Sequence, residues 1–156
     1  MNKVFFDLEW NTGFLDGNSF DEIIEIGAVK TDEGYRQIDG FRRLIRPVIY
    51  RKMNPYIQKI LAITMKDLQG EEPLASVAKA FFDWCGDCDT LIAWSGNDFG
   101  VLEKNLAHIG MKIPEQLGRY DVQMAYAYRT ENSIRNYALK TAVEAMELPE
   151  PEGQEY

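Results

Sequence analysis

Apolar positions in the first third of the chain fall in short runs that predict strands. Lys3 to about Glu9 reads as a first strand, with Val4, Phe5, Phe6 and Leu8. Asn11 to Asp21 is rich in Gly, Asn and Asp and reads as a loop. Glu22 to Thr31 reads as a second strand through Ile23, Ile24, Ile26, Ala28 and Val29, and Asp32-Glu33-Gly34 reads as a hairpin turn. A third strand runs from Tyr35 to about Ile45 and stops before Pro47. Three strands joined by short connections form an antiparallel meander.

Beyond Pro47 the spacing becomes helical. Asn54 to Ile63 reads as a short helix, and Thr64 caps the turn that follows. Leu74, Val77, Ala78, Phe81 and Phe82 mark a helix over Pro73 to Trp84. Asp89 to Ser95 is an apolar strand, followed by a helix from Asp98 to Ile109 that Gly110 stops. Arg119 to Val122 reads as a short strand, with Asp121 placed to cap a helix over Val122 to Arg129, and Asn136 to Met146 as a final helix ended near Pro149. A meander followed by helix-linked strands gives an α/β fold: a mixed five-stranded sheet flanked by helices, in a single domain over residues 1–156.

The length of 156 residues suits one domain with a real core, and 46% hydrophobic residues set disorder aside. No run approaches a membrane span and no leader precedes the first strand, so the expected setting is soluble and cytoplasmic, away from membranes. A net charge of −8 argues against a large non-specific DNA-binding surface, although a metal site needs acids and brings its own positive charge. The charge is uneven. Tyr35 to Lys52 holds Arg36, Arg42, Arg43, Arg46, Arg51 and Lys52 against Asp39 alone, while the last residues from Glu144 carry five glutamates and no basic residue. The basic stretch suits either a phosphate backbone or the solvated face of an edge strand, where Lys and Arg discourage aggregation.

Asp7-Leu8-Glu9 is the first candidate for chemistry. Alternation along a strand sends Asp7 and Glu9 to the same face. Two carboxylates so close are either solvated acids at a strand end or hard oxygen ligands for Mg²⁺ or Mn²⁺. Asp98 is a third acid, at a helix start after another strand, where α/β sheets gather ligands; Asp98 or Asn97 would equally serve as an ordinary cap. Cys85-Gly86-Asp87-Cys88 closes a helix rather than opening one. With His108 the sole histidine, it reads as two ordinary thiols rather than a redox or zinc site. No G-x-G-x-x-G, Walker A or G-x-S-x-G pattern occurs.

The ordered set of motifs resembles the DEDD exonuclease superfamily, which has the ribonuclease H-like fold. Phe6-Asp7-Leu8-Glu9 with Thr12-Gly13 is similar to its first motif, Ile24-Glu25-Ile26-Gly27-Ala28-Val29 to its second strand, and Arg46-Pro47 and Ile60 to Leu68 to its next landmarks. Asn97-Asp98 with Phe99 and Leu102 matches its second motif, and Tyr120-Asp121-Val122-Gln123 a later element. The resemblance covers nearly the whole chain and lies nearest the proofreading-subunit and ribonuclease T branch. It implies a two-metal 3′→5′ exonuclease acting on single-stranded DNA or RNA with a free 3′ end. Asp7 would bridge two Mg²⁺ (or Mn²⁺) ions, Glu9 would bind the ion carrying the attacking water, and Asp98 would hold the second ion. Asn11, Thr12 and Asn97 would lie against the terminal nucleotide, and Trp10 would either pack or stack on a base. The third motif of the DEDDh type, His-x₄-Asp, and its Tyr-x₃-Asp counterpart have no match here: Tyr137-x₃ lands on Thr141 and His108 comes too early. The expectation is therefore a domain lacking its C-terminal catalytic helix, impaired or inactive as it stands. The alternative is a catalytically incomplete nucleic-acid- or partner-binding module, and a phosphohydrolase of small nucleotides would share the same acids.

Overall fold

The structure is a computed structural model that describes residues 1–131 and 137–149. Strands β1 (Lys3–Leu15), β2 (Asn18–Thr31) and β3 (Gln37–Leu44) form the expected antiparallel meander. Strand β4 (Thr90–Ala93) lies parallel to β1, and β5 (Gly118–Asp121) parallel to β4, giving the order β3-β2-β1-β4-β5. The mixed five-stranded sheet read from the sequence is the one observed. Strand β3 forms an edge of it, with Arg42 and Arg43 exposed.

Helices α1 (Pro55–Leu61), α2 (Met65–Leu68), α3 (Leu74–Cys85), α4 (Gly96–His108), α5 (Val122–Glu131) and α6 (Leu139–Ala145) complete the described elements. Asn54 accepts the Tyr56 N–H at the start of α1, and Thr64 forms a reciprocal capping box with Asp67 at α2. Helix α3 buries Leu74, Val77, Ala78, Phe81 and Cys85, one stripe at helical spacing. The final helix is shorter than expected, and the part of that expectation at Asn136 lies outside the described residues. Among the described residues no helix is long and apolar enough to cross a membrane.

One sheet face carries the main core. Val4, Phe6 and Leu8 of β1, Ile26 of β2, and Leu91 and Ala93 of β4 pack on α3 and on Phe99, Leu102 and Leu106 of α4. A smaller cluster of Ile24, Met53 and Leu68, with Leu44, Ile57 and Leu61 against it, seats α1 and α2. The two clusters claim neighbouring isoleucines because β2 bulges. Glu9 pairs with Glu25 but Trp10 pairs with Ile23, so Ile24 is an extra residue on β2.

The loop expected over Asn11 to Asp21 is instead paired strand. Thr12 faces Asp21, Gly13 faces Phe20, and the chain reverses at Asp16-Gly17, both at positive φ (51° and 79°). This is the turn type whose twist matches paired strands, and it favours Asp-Gly. Cross-strand partners hold these polar residues in a ladder that their composition alone does not announce.

Candidate active site

Alternation along β1 sends Val4, Phe6 and Leu8 into the main core, and Asp7 and Glu9 to the opposite face. Asp98 reaches the same place from the first turn of α4. Ser95 caps that helix, its hydroxyl accepting the Asn97 N–H (3.3 Å) and donating to Asp98 Oδ2 (3.2 Å). The cap offered as the alternative role for Asp98 or Asn97 falls instead to Ser95, whose extended backbone precedes the helix, while Asp98 is the third residue of its first turn.

The acids feel each other. Burial pushes the Asp7 carboxyl up from 3.8 to about 6, and the Asp98 charge adds to the rise. Burial pushes Glu9 up from 4.5 to about 7, followed by repulsion from Asp7, Glu25 and Asp98. Asp98 is buried and raised for the same first reason, with Asp121 adding to it and the Ser95 hydroxyl and Leu8 N–H working against it. Asp7 thus lies near enough to Asp98 to feel its charge, with neighbouring atoms crowding its carboxyl while the residue keeps an open side to solvent. The carboxylates do not close on a point as they stand: among the described residues no three His, Cys, Asp or Glu side chains gather tightly enough to hold a metal ion.

Two acids that the sequence reading did not count among the site residues border this group. Glu25, buried and directly across from Glu9, is bonded by Arg42 of β3. Asp121, at the end of β5, accepts the Met124 N–H at the start of α5, the capping role expected of it. Its Oδ2 lies 2.9 Å from where a Cβ at position 96 would stand, so a side chain there would displace the Asp121 carboxylate.

Other expected contacts move away from the site. Trp10 packs against the main core, because it lies one residue past Glu9 and so points to the other face. Of the two alternatives for Trp10, this contact favours packing. Asn11 is 1% exposed, and its amide is spent on the backbone: Nδ2 donates to Lys52 O (3.0 Å) and Oδ1 accepts the Asn54 N–H (2.8 Å). Its side chain clamps residues 52–54. Glu22, also buried, fastens the same segment by accepting the N–H groups of Val48, Ile49 and Tyr50. The Thr12 hydroxyl donates to Asp21 Oδ1 (2.8 Å) across the hairpin. Asn97 is exposed at the start of α4.

The remaining candidates are bland. Cys85 and Cys88 are free and buried, and burial first of all pushes the Cys85 thiol up to about 12, the wrong direction for a reactive thiolate. His108 lies at the C-terminal end of α4 with its ring 5.7 Å from Phe20, away from the acids.

The family described as RNase_T, exonuclease, matches residues 4–151. DNA polymerase III PolC-type of Clostridium perfringens is 35% identical over 112 residues, which is 70% of this chain and 7% of that protein. The corresponding protein of Streptococcus pyogenes serotype M1 is 32% identical over 102 residues, 65% of this chain and again 7% of the relative. Among solved structures, cell-death related nuclease 4 superposes with a TM-score of 0.76 at 14% identity, covering 95% of this chain and 55% of that one. The nuclease domain of 3′hExo, a DEDDh family member bound to rAMP, gives 0.72 at 15% identity, covering 94% and 79%. E. coli exonuclease I in complex with a dT13 oligonucleotide gives 0.67 at 15% identity, covering 88% and 32%. These structures share the fold: a sheet of three antiparallel and two parallel strands flanked by helices, the ribonuclease H-like arrangement.

Proposed function

Given that the chain belongs to the exonuclease family, within the DEDD superfamily, we propose that it shortens single-stranded DNA or RNA from a free 3′ end, using Mg²⁺ or Mn²⁺ held by Asp7, Glu9 and Asp98. One observation carries the reading: β1 sends Asp7 and Glu9 to one face, where buried Asp98 from the first turn of α4 adds its charge, so that burial first and repulsion second push Asp7 and Glu9 up to about 6 and 7. Such a group is costly in the absence of a cation and suited to one in its presence.

The donor set is all oxygen, which fits a hard divalent ion. Gathering it is expected to take side-chain rotation at Asp7 and Glu9 on a backbone that the β1–β2 pairing already fixes. Divalent ions bound there supply positive charge to the scissile phosphate and acidify the attacking water. The chain's own residues prepare that chemistry. Ser95 and the Leu8 N–H orient the Asp98 carboxylate, which loses little freedom on binding. Asn97, exposed beside Asp98, would meet the terminal nucleotide. The clamps from Asn11 and Glu22 hold residues 48–54 against the hairpin next to the acids.

The test is a 5′-labelled oligonucleotide incubated with Mg²⁺ or Mn²⁺. A ladder shortening from the 3′ end is expected, blocked by a 3′-phosphate and abolished by Asp7→Asn with the fold intact. Unchanged degradation by Asp7→Asn would eliminate the assignment. Hydrolysis confined to mononucleotides would point to a small-nucleotide phosphohydrolase. A second reading, a nucleic-acid-binding module without turnover, draws on the absence of any histidine facing the acids among the described residues. Tight oligonucleotide binding with no ladder at any metal concentration would favour it.

A further inference from the structure

Strand register brings a basic side chain to the acidic face. Arg42 of β3 pairs with Gly27 of β2, and Gly27 pairs with Asp7 of β1, so the three share one row and one face of the sheet. Arg43, the next residue, falls on the other face beside Glu72, Ser76 and Val77. The middle of the row is empty, since a Cβ built at Gly27 would meet nothing within 4 Å. Two strand spacings, roughly 10 Å, separate Arg42 from Asp7 across that gap.

The Arg42 side chain leans along the strands toward the Glu9–Glu25 row, where its Nε donates to Glu25 Oε1. Glu25 is buried, whereas the Arg42 side chain is 78% exposed. An ion pair with so exposed a partner adds little to stability. A guanidinium carries five donors in a planar fork, and an Nε bond to a carboxylate leaves its terminal amino groups for a second anion. Glu25 therefore tethers the base of the fork without consuming it. Like charges directly across a ladder are unfavourable, and Glu25 opposite Glu9 is such a pair. Holding Arg42 over this face is what that pair provides.

We propose that Arg42, tethered by Glu25 and reaching over the gap at Gly27, is a substrate-binding residue that grips a phosphate of the nucleic-acid strand next to the Asp7–Glu9 site. This rests on the exonuclease reading above. An anionic strand approaching several carboxylates meets repulsion, which bound metal and this guanidinium would offset. The contact is charge-assisted and independent of the base, so it sets affinity rather than sequence preference.

The experiment measures binding of a fluorescent single-stranded oligonucleotide by anisotropy in EDTA, where no turnover occurs, over a range of salt. Arg42→Gln should weaken binding by about tenfold and reduce the slope of log K against log salt by about 0.7, the share of one single-strand phosphate. Arg42→Lys should restore the slope but not the whole affinity, because it keeps the charge and loses the fork. With Mg²⁺ present, Arg42→Gln should raise KM about tenfold and leave kcat within about threefold, as for a contact made equally in ground and transition states. Arg42→Gln leaves Glu25 unpaired, so the double variant with Glu25→Gln repeats the slope measurement without a stranded carboxylate. Wild-type affinity and slope in both variants would overturn the inference while leaving the exonuclease reading standing. A wild-type chain that neither binds nor shortens oligonucleotides would overturn both.

Discussion

Glu9→Gln should stabilise the metal-free protein, and the gain should depend on pH in a way that reports the site directly. Burial and repulsion from Asp7 raise the Glu9 carboxyl from 4.5 to about 7. A raised carboxyl means that the folded chain holds its proton more tightly than the unfolded chain does. Between those values the folded state binds more protons, so stability falls as pH rises through the window. The penalty is absent below about pH 4.5 and complete above about pH 7. The full shift corresponds to about 3 kcal/mol at 1.36 kcal/mol per unit. Glu9 is partly exposed and shares its repulsion with Asp7, so a gain of about 1–2 kcal/mol is the sound expectation, or roughly 2–8 °C in Tm for a chain of this size. Thermal melts in EDTA at pH 4.5 and pH 8 measure it. The variant should match wild type at the lower pH and melt higher at the upper one. Saturating Mg²⁺ at pH 8 should then narrow or reverse the order, since ligand at about 100 times its Kd adds about 2.7 kcal/mol to a chain that binds it. An equal Tm difference at both pH values, or a variant less stable at pH 8, would refute the electrostatic account of the site.

Two further substitutions test the frame around it. Asn11→Ala removes both amide bonds to Lys52 O and the Asn54 N–H from a buried position, and should cost about 2–3 kcal/mol in urea unfolding; an unchanged midpoint would deny it the clamp role. Ala62, the residue closing α1, sits at φ 53°, ψ 23°, a left-handed position that suits glycine. Ala62→Gly should stabilise by about 0.5–1 kcal/mol, the relief of strain less the added freedom of the unfolded chain, and a lower unfolding midpoint would count against that strain.

The parts of the fold legible in the sequence were those where one period dominates. Alternation around Phe6 and Leu8 fixed β1 and sent Asp7 and Glu9 to one face, and the stripe from Leu74 to Phe81 fixed α3. The outer hairpin was not legible from composition, because Asn11, Thr12, Gly13, Asn18 and Ser19 are turn formers held in strand by each other's backbones. Asp16-Gly17 was the available signal, a two-residue turn with runs on either side that its twist can pair. Asn11 has a structural role that was hidden for a related reason. The family resemblance implied a substrate contact there, while its burial under residues 52–54 depends on a chain segment about forty residues away in sequence, tied down by Glu22 as well.

The site's wider composition depends on a feature that no local pattern announces. Leu15 pairs with Asn18 at the hairpin turn, and counting back from there brings Ile24 opposite Glu9. On that register Glu25 would face the main core, an apolar layer with no place for a carboxylate. The bulge at Ile24 shifts the count by one. It sends Ile24 to the small cluster under α1 and α2, keeps Ile23 in the main core, and sets Glu25 across from Glu9. Three consecutive residues thereby satisfy three different environments. The same shift aligns Gly27 with Asp7, and with Arg42 paired to Gly27 in the separate β2–β3 register the guanidinium comes to the acidic face. The acid pair read from β1 is thus half of a larger arrangement. Its other half, Glu25 with Arg42, is supplied by an irregularity in the neighbouring strand, where a strict alternation of apolar and polar positions would have hidden both.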